Sequence, residues 1–422
     1  MSFKIAHLSD LHLGYRATRH INPQGINLRA ADGYLAFASC VDQIIEEECN
    51  VAVVCGDIFH SSHPDVRSIV FAQNQFRKLA DAGVKVYALG GNHDISDRIE
   101  DLSAAKVVDD PHRGIYSSAE PYVHYEISDG IHLHMVSHHM YSAQAETFKQ
   151  IQPIDSEINI FSTHGSCIDP LLKIKLKAEQ SPREIVIPDF LLADKGWSYT
   201  LLGHIHERGW IGSKDNLTDT SKRKVYYNGS IIRRGFADKD VPLGRGWTLW
   251  EVNDAGVFTA TTKSVAQRPQ LDFDPIEATG LTSGEITDLI VSNLKESNES
   301  GEFDARIAPI LRQKILDITP TKYASLNWSI INDHSQHALQ WAIAQQLSSP
   351  NVSVNSGTEN SAGDNHSEGE VKSESSGDIV QVYNQWVKGA SSIAESEDHI
   401  KVRVTEQSRN FIKLAQEASF EE

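Results

Sequence analysis

Asp10 with His12, Asp57 with His60, Asn92 with His93 and Asp94, His164, and His204 with His206 form five short polar clusters, each directly after a short apolar run. Carboxylate, imidazole and amide oxygen are ligands for borderline-to-hard divalent ions such as manganese, iron or zinc. The lack of thiolates among them argues against a structural zinc site. The clusters together supply a full ligand set for two ions. Two ions about 3.5–4 Å apart can activate water, polarise a phosphoryl oxygen and offset charge in the transition state, so the pattern points to a two-metal phosphoesterase. Such a pair needs a shared anion. Asp57 is the candidate, because it is the only carboxylate of its cluster and Gly56 lets the backbone come close. With Asn92 taken as a ligand, His93 is free to protonate the leaving oxygen, and Asp94 is expected to hold its tautomer.

The elements that must position these residues are legible as well. Phe3–Ala6, Val51–Cys55, Val84–Leu89, Ile158–Phe161 and Tyr199–Leu202 are short, rich in β-branched or aromatic residues, and bounded by Gly, Asp or Ser, as buried strands are. In layered α/β folds, sites form outside strand ends, so the clusters are expected to meet at one edge of a sheet. Tyr34, Phe37, Val41, Ile44 and Ile45 repeat at helical spacing between the first two strands. A second helix is expected after Ser61 or Ser62 as its cap, with Pro64 in its first turn and a stop at Gly83, and a third from Ile99 to Val108. Strands with Gly-rich turns follow at Lys224–Tyr227, Trp247–Val252 and Val257–Thr262.

A chain of 422 residues exceeds one ordinary core. The divisions expected are a catalytic domain over 1–268, a small α+β module over 269–347, a Ser-, Gly- and Glu-rich linker over 348–378 and a helical tail over 379–422. The linker has too few large apolar residues to offset its ordering entropy. In the tail, Ile379, Tyr383, Trp386, Ala390 and Ile393 fall on one face, which suits a docking element. No basic leader and no long apolar run is present, so a cytoplasmic protein with no membrane association is expected, and Cys40, Cys49, Cys55 and Cys167 are expected as reduced structural thiols. The net charge of -18 is uneven, since residues 271–422 hold 11 Lys and Arg against 24 Asp and Glu, and residues 1–270 hold 28 against 33. Arg16, Arg19, Arg29, Lys222–Lys224, Arg233, Arg234 and Arg245 remain available for a phosphate backbone. His20, His63, His112, His124, His132, His134, His138 and His139 fit no ligand position, and Trp197, Trp247 and Trp250 read as core.

Asp10-x-His12, Gly56-Asp57-x-x-His60, Gly91-Asn92-His93-Asp94, His164-Gly165 and Gly203-His204-x-His206 resemble the calcineurin-like metallophosphoesterase signature. Asp57-Ile-Phe-His60 and the Gly-Asn-His-Asp order resemble, more narrowly, its SbcD-type nuclease branch. The resemblance implies an α/β layered β-sandwich flanked by helices, with a small α+β capping domain and a C-terminal helical tail. It implies that Asp10, His12 and His206 bind one metal, that Asn92, His164 and His204 bind the other, and that Asp57 bridges. His93 would act on the leaving group and His60 would position or release the scissile strand. It further implies two Mn2+ ions, 3′-to-5′ exonuclease and endonuclease action on DNA ends in double-strand-break repair, homodimerisation through helices near 64–82 and 99–110, and an SbcC-type ABC ATPase partner whose coiled coil receives the tail. Two other readings use the same residues: a dimetal phosphodiesterase on a small-molecule or phosphoprotein substrate, and a DNA-end tether that chiefly recruits the ATPase.

Overall fold

A computed structural model of the chain describes residues 2–96, 101–138, 151–155, 157–167, 186–187, 196–211, 224–236, 238, 244–253, 256–299 and 308–347. The expected linker and tail, His139, Lys222, Arg223, and residues 99–100 of the expected third helix lie outside them. The chain divides into one unit of Met1–Arg19 with Asn27–Gln267 and a second of His20–Ile26 with Arg268–Glu422.

The first unit is built on two six-stranded sheets. One has the order β14 (Phe258–Ser264), β13 (Gly246–Val252), β1 (Phe3–Leu8), β2 (Val51–Cys55), β3 (Lys85–Leu89), β4 (Ile115–Ser118). The other runs β11 (Gly209–Ile211), β12 (Val225–Tyr227), β10 (Tyr199–Gly203), β7 (Ile158–His164), β6 (Ile131–Val136), β5 (Val123–Ser128). A two-stranded ladder pairs β8 (Ser166–Cys167) with β9 (Val186–Ile187). β1, β2 and β3 are mutually parallel, as are β7 and β10, so within each sheet the carboxyl ends of these strands share an edge.

The sandwich core lies between the sheets. Alternate residues Ile5, Val53, Cys55 and Leu89 of the first pack with Leu133, Met135, Ile160 and Leu201 of the second, along with Tyr226 and Trp250. Each such aliphatic side chain contributes about 1.5–3 kcal/mol by leaving water. The opposite side chains of β2, Ala52 and Val54, are buried too, which is why this strand is apolar throughout and not alternating. Helix α1 (Leu28–Glu46) buries Tyr34, Phe37, Val41 and Ile44, and Trp247 of β13 donates its indole N–H to Gln43 of α1 at 2.8 Å. Helix α2 (Val66–Asp81) meets α1 through Phe37, Phe71 and Phe76. Its cap is Asp65, whose carboxylate accepts from the Ser68 amide at 3.0 Å, and not Ser61 or Ser62, so Pro64 stands before the helix. Of the expected third helix, Ala104–Val108 forms a 3-10 turn capped by Ser103. The four cysteines are buried and free, and Trp197, Trp247 and Trp250 are core residues.

The second unit has a parallel sheet of β15 (Gln270–Glu277), β16 (Ile310–Ile318) and β17 (Gln340–Leu347). Helices Ser283–Glu299 and Trp328–Ser335 bury Ile286, Ile290, Leu294 and Ile331 against Leu311 and Ile315. Among the described residues no helix is long and apolar enough to cross a membrane.

One core residue carries a pH signature. His7 of β1 is fully buried, and burial, with the Arg208 charge adding and a Leu202 backbone bond opposing, pushes its pKa down to about 3. The unfolded chain therefore takes up a proton here between pH ~6.5 and ~3 while the folded one does not. This stability is full above pH ~6.5 and falls as pH drops. Urea unfolding at pH 7.5 and 4.5 should show the wild type losing about 2 kcal/mol more than His7→Phe. Equal losses would mean His7 is not held neutral.

Candidate metal centre

The loops after β1 and β2 are stitched together by backbone bonds: Asp10 N–H to the Gly56 carbonyl at 3.1 Å, His12 N–H to that of Asp57 at 2.9 Å, and His60 N–H to that of Leu13 at 3.0 Å. To make these contacts and still aim its side chains inward, the backbone adopts left-handed φ at Asp10 (52°), His12 (43°), Asp57 (53°) and His204 (96°). Each such residue costs about 1–3 kcal/mol, which the surrounding packing must offset. Glycine is required beside them. A Cβ on Gly91 would stand 2.2 Å from Asp57 Oδ1, and one on Gly203 would stand 1.9 Å from the Cys55 carbonyl oxygen.

The seven expected ligands come together, but from two sheets and not from one edge of a single sheet. β1, β2 and β3 deliver Asp10, His12, Asp57 and Asn92 from the first, and β7 and β10 deliver His164, His204 and His206 from the second. A lone sheet could not bring His12 and His206 face to face. The sandwich does, with their Nε2 atoms 3.1 Å apart. Asp10 Oδ1 lies 3.6 Å from His206 Nε2 and 4.0 Å from His12 Nε2. A second group centres on Asn92 Oδ1, 2.9 Å from His164 Nε2 and 3.1 Å from His204 Nδ1. Asp57 stands between the groups, its Oδ2 3.5 Å from both His12 Nε2 and His164 Nε2. Its other oxygen accepts the His93 backbone N–H at 2.8 Å.

The electrostatics suit a cation. Burial alone would push the Asp57 carboxyl up, but His164, through its charge and hydrogen bond, with His12 and His93, holds it well below the usual range. Burial would lower His164, yet Asp57 lifts it to about 9. Burial keeps His12 and His204 well below the usual imidazole value, the Arg234 charge adding at His12 and the His164 charge at His204. Two further facts test the fit of a metal. His12 and His206 aim lone-pair nitrogens at each other, and at most one proton can lie between them. His204 Nε2 is buried without a hydrogen-bond partner among the described residues. A positive ion between His12 and His206 would satisfy the first arrangement, one at His204 Nδ1 would fix the proton on Nε2, and the nitrogen and oxygen donors of the two groups fit two divalent metals. His12, His60 and His93 also cluster within ligand distance of one another, as do Asp10, Asp57 and His164.

His93 Nδ1 lies 2.8 Å from the His60 carbonyl oxygen. A carbonyl only accepts, so Nδ1 carries the proton and a neutral His93 has its lone pair on Nε2. The expected role of Asp94 as the partner of His93 is therefore corrected. The Asp94 carboxylate is fully engaged by the backbone N–H groups of Phe59 (2.8 Å), Gly91 (2.9 Å) and Ile58 (3.1 Å). Burial and the Asp57 charge still raise its pKa to about 7 against those three bonds. Asp94 shapes the two loops that carry Asp57 and Asn92. His60 stacks on His93 with ring centroids 5.1 Å apart, and burial and the His93 charge push its pKa down to about 4.

Two residues at the site were not legible as such. Asp238 Oδ1 meets His206 Nδ1 at 3.0 Å, and its Oδ2 accepts the Arg234 N–H at 2.9 Å. Tyr15 packs edge-on to His60 at 4.9 Å. Of the basic residues expected to be free for phosphates, Arg29 and Arg245 are buried structural groups. Arg29 pairs with Asp32 and binds the Arg233 carbonyl, and Arg245 binds the His206 carbonyl and Ser230. Arg16 pairs with Asp65 at the surface.

Residues 3–224 match the family model described as calcineurin-like phosphoesterase. A DNA double-strand break repair protein Mre11 of Methanocaldococcus jannaschii is 25% identical over 301 residues, 70% of this chain and 71% of that protein. The Mre11 protein of Saccharolobus solfataricus is 25% identical over 308 residues, 70% of this chain and 73% of its own length. A dimetal phosphatase structure from Danio rerio covers 62% of this chain at 13% identity with a TM-score of 0.34.

Proposed function

This chain belongs to the calcineurin-like phosphoesterase family and is a phosphodiester hydrolase; on that premise we propose that it is the nuclease subunit of a double-strand-break repair assembly, cutting DNA ends as a 3′-to-5′ exonuclease and an endonuclease. The observation that carries this reading is Asp57 standing 3.5 Å from an imidazole nitrogen of each donor group. Asp10, His12 and His206 would hold one ion and Asn92, His164 and His204 the other, with Asp57 shared. When bound, the ions supply Lewis acidity and a water made nucleophilic near neutral pH. Nitrogen and oxygen donors without thiolate admit manganese, iron or zinc, and the resemblance to SbcD-type nucleases is what supports manganese.

The chain's own residues do the rest. The His93 backbone N–H fixes the orientation of the Asp57 carboxylate, and the His93 ring, tied at Nδ1 by the His60 carbonyl, presents Nε2, which in the imidazolium form carries the proton that passes to the leaving oxygen. His60, stacked on His93, positions the scissile strand. The names of the Mre11 relatives support DNA as substrate. Exposed apolar residues support a homodimer: Val66 (75% exposed) and Val70 (45%) on α2, with Leu102 (84%) and Val107 nearby, where Gln73 of α2 bonds the Val107 carbonyl at 2.7 Å. An SbcC-type ATPase with a coiled coil, docked by residues 379–415, and a cytoplasmic location complete the reading.

A manganese-dependent digestion of linear, nicked and hairpin DNA, with and without the ATPase, tests it. Cutting from the ends of linear DNA and opening of the hairpin are expected. Turnover of a cyclic nucleotide or a chromogenic diester with all three DNAs intact would shift the substrate to a small diester. Repair that survives loss of His93 but not polar replacement of Tyr383 and Trp386 would make the chain a tether first.

A further inference from the structure

Among the described residues at the site, Arg234 is a cation that the chemistry described so far does not use beyond its effect on His12. Its Nη1 lies 3.4 Å from His12 Nδ1, on the side of that ring away from His206 and Asp57, where His60 Nδ1 also lies at 3.4 Å. If His12 serves a cation through Nε2, its Nδ1 carries the proton and cannot accept from Arg234. The guanidinium Nε is buried without a hydrogen-bond partner among the described residues. The nearby Asp238 gives one oxygen to His206 and the other to the Arg234 backbone N–H; the Arg234 charge acts on it, but among the described residues the two side chains form no ion pair. The backbone is clamped from three sides: the Tyr15 hydroxyl donates to the Arg234 carbonyl at 2.6 Å, Asp238 accepts from the Arg234 N–H, and Arg233 Nε donates to the Asp238 carbonyl at 2.9 Å. A guanidinium on a fixed backbone, with no side-chain ion pair among the described residues and imidazoles as its nearest partners, can take a further anion.

We infer that Arg234 binds the phosphate next to the scissile one on a polynucleotide strand. The inference rests on the nuclease reading and deepens it. Arg234 sits across the His12 ring from the donor groups, beside His60 and Tyr15, so the anion it meets is not the one at the cations. A single diester has no such second phosphate; a polynucleotide always has.

The test compares wild type, Arg234→Ala, Arg234→Gln and Arg234→Lys as full-length proteins with Mn2+, on a labelled oligonucleotide and on bis(p-nitrophenyl) phosphate. Arg234→Ala and Arg234→Gln should raise KM for the oligonucleotide at least about tenfold more than KM for the single diester, one charge-assisted phosphate contact being worth that much. The slope of log KM for the oligonucleotide against log salt should fall by about 0.7–0.9, the release of one counterion. Arg234→Lys should recover part of both. Calorimetric titration with Mn2+ should still give two equivalents per chain. Equal losses on the two substrates, an unchanged salt slope or a lost Mn2+ equivalent would each overturn the inference and make Arg234 a scaffold residue. A wild type that cleaves the single diester and never the oligonucleotide would instead sink the nuclease reading itself.

Discussion

Asp57→Asn is expected to cut turnover by about 10³-fold or more, beyond the ~10–100-fold typical of groups that only support a ligand. The substitution is nearly isosteric, so the His93 N–H keeps its acceptor. What disappears is the negative charge 3.5 Å from both His12 and His164, the charge that lifts His164 to about 9. Without it the two donor groups lose their common anion. Calorimetric titration should show fewer than two Mn2+ per chain. Two equivalents at wild-type affinity would remove Asp57 from the role of bridge.

The second large effect separates proton donation from metal binding. His93→Gln should leave both Mn2+ equivalents in place and lower kcat on DNA by about 10²–10⁴-fold. The loss should be far smaller on bis(p-nitrophenyl) phosphate, because p-nitrophenolate departs without a proton whereas a sugar alkoxide does not. The backbone N–H that orients Asp57 survives any side-chain change at 93, so the defect belongs to the ring. It should appear in kcat, where the Arg234 defect appears in KM. A uniform loss on both leaving groups would show that His93 does not act as the acid.

Much of this centre was readable because strand ends announce themselves. A buried strand such as Val51–Cys55 is an unbroken apolar run, and the glycine and carboxylate that follow it break the run abruptly. Five such breaks with metal-ligand residues just after them left little choice of chemistry. What periodicity cannot show is which sheet a strand joins. β2 and β7 look alike in sequence, yet they lie in different sheets, and only the sandwich places His164 against Asp57. Nor does a pattern separate Asp94, a carboxylate consumed by three backbone amides, from one that faces an imidazole. Asp238 and Arg234 sit between strands with no apolar repeat to anchor them, and their tie to His206 is a tertiary fact. Arg29 and Arg245 looked like free surface charge, and burial makes them internal struts. The cap of α2 is Asp65 because a carboxylate beside Val66 can reach the Ser68 amide, and the serines three and four residues before it cannot.

The left-handed backbone at Asp10, His12, Asp57 and His204 sets heat resistance and catalysis against each other within the same four residues. Glycine occupies that conformation with ease, so at each of these positions the substitution that relaxes the chain is also the one that deletes a donor. A mutant library sorted only for survival of heating would drift toward glycine there and fill with robust, inert proteins. On the proposed ligand assignment, hydrolysis and not thermal endurance would keep aspartate and histidine in those places.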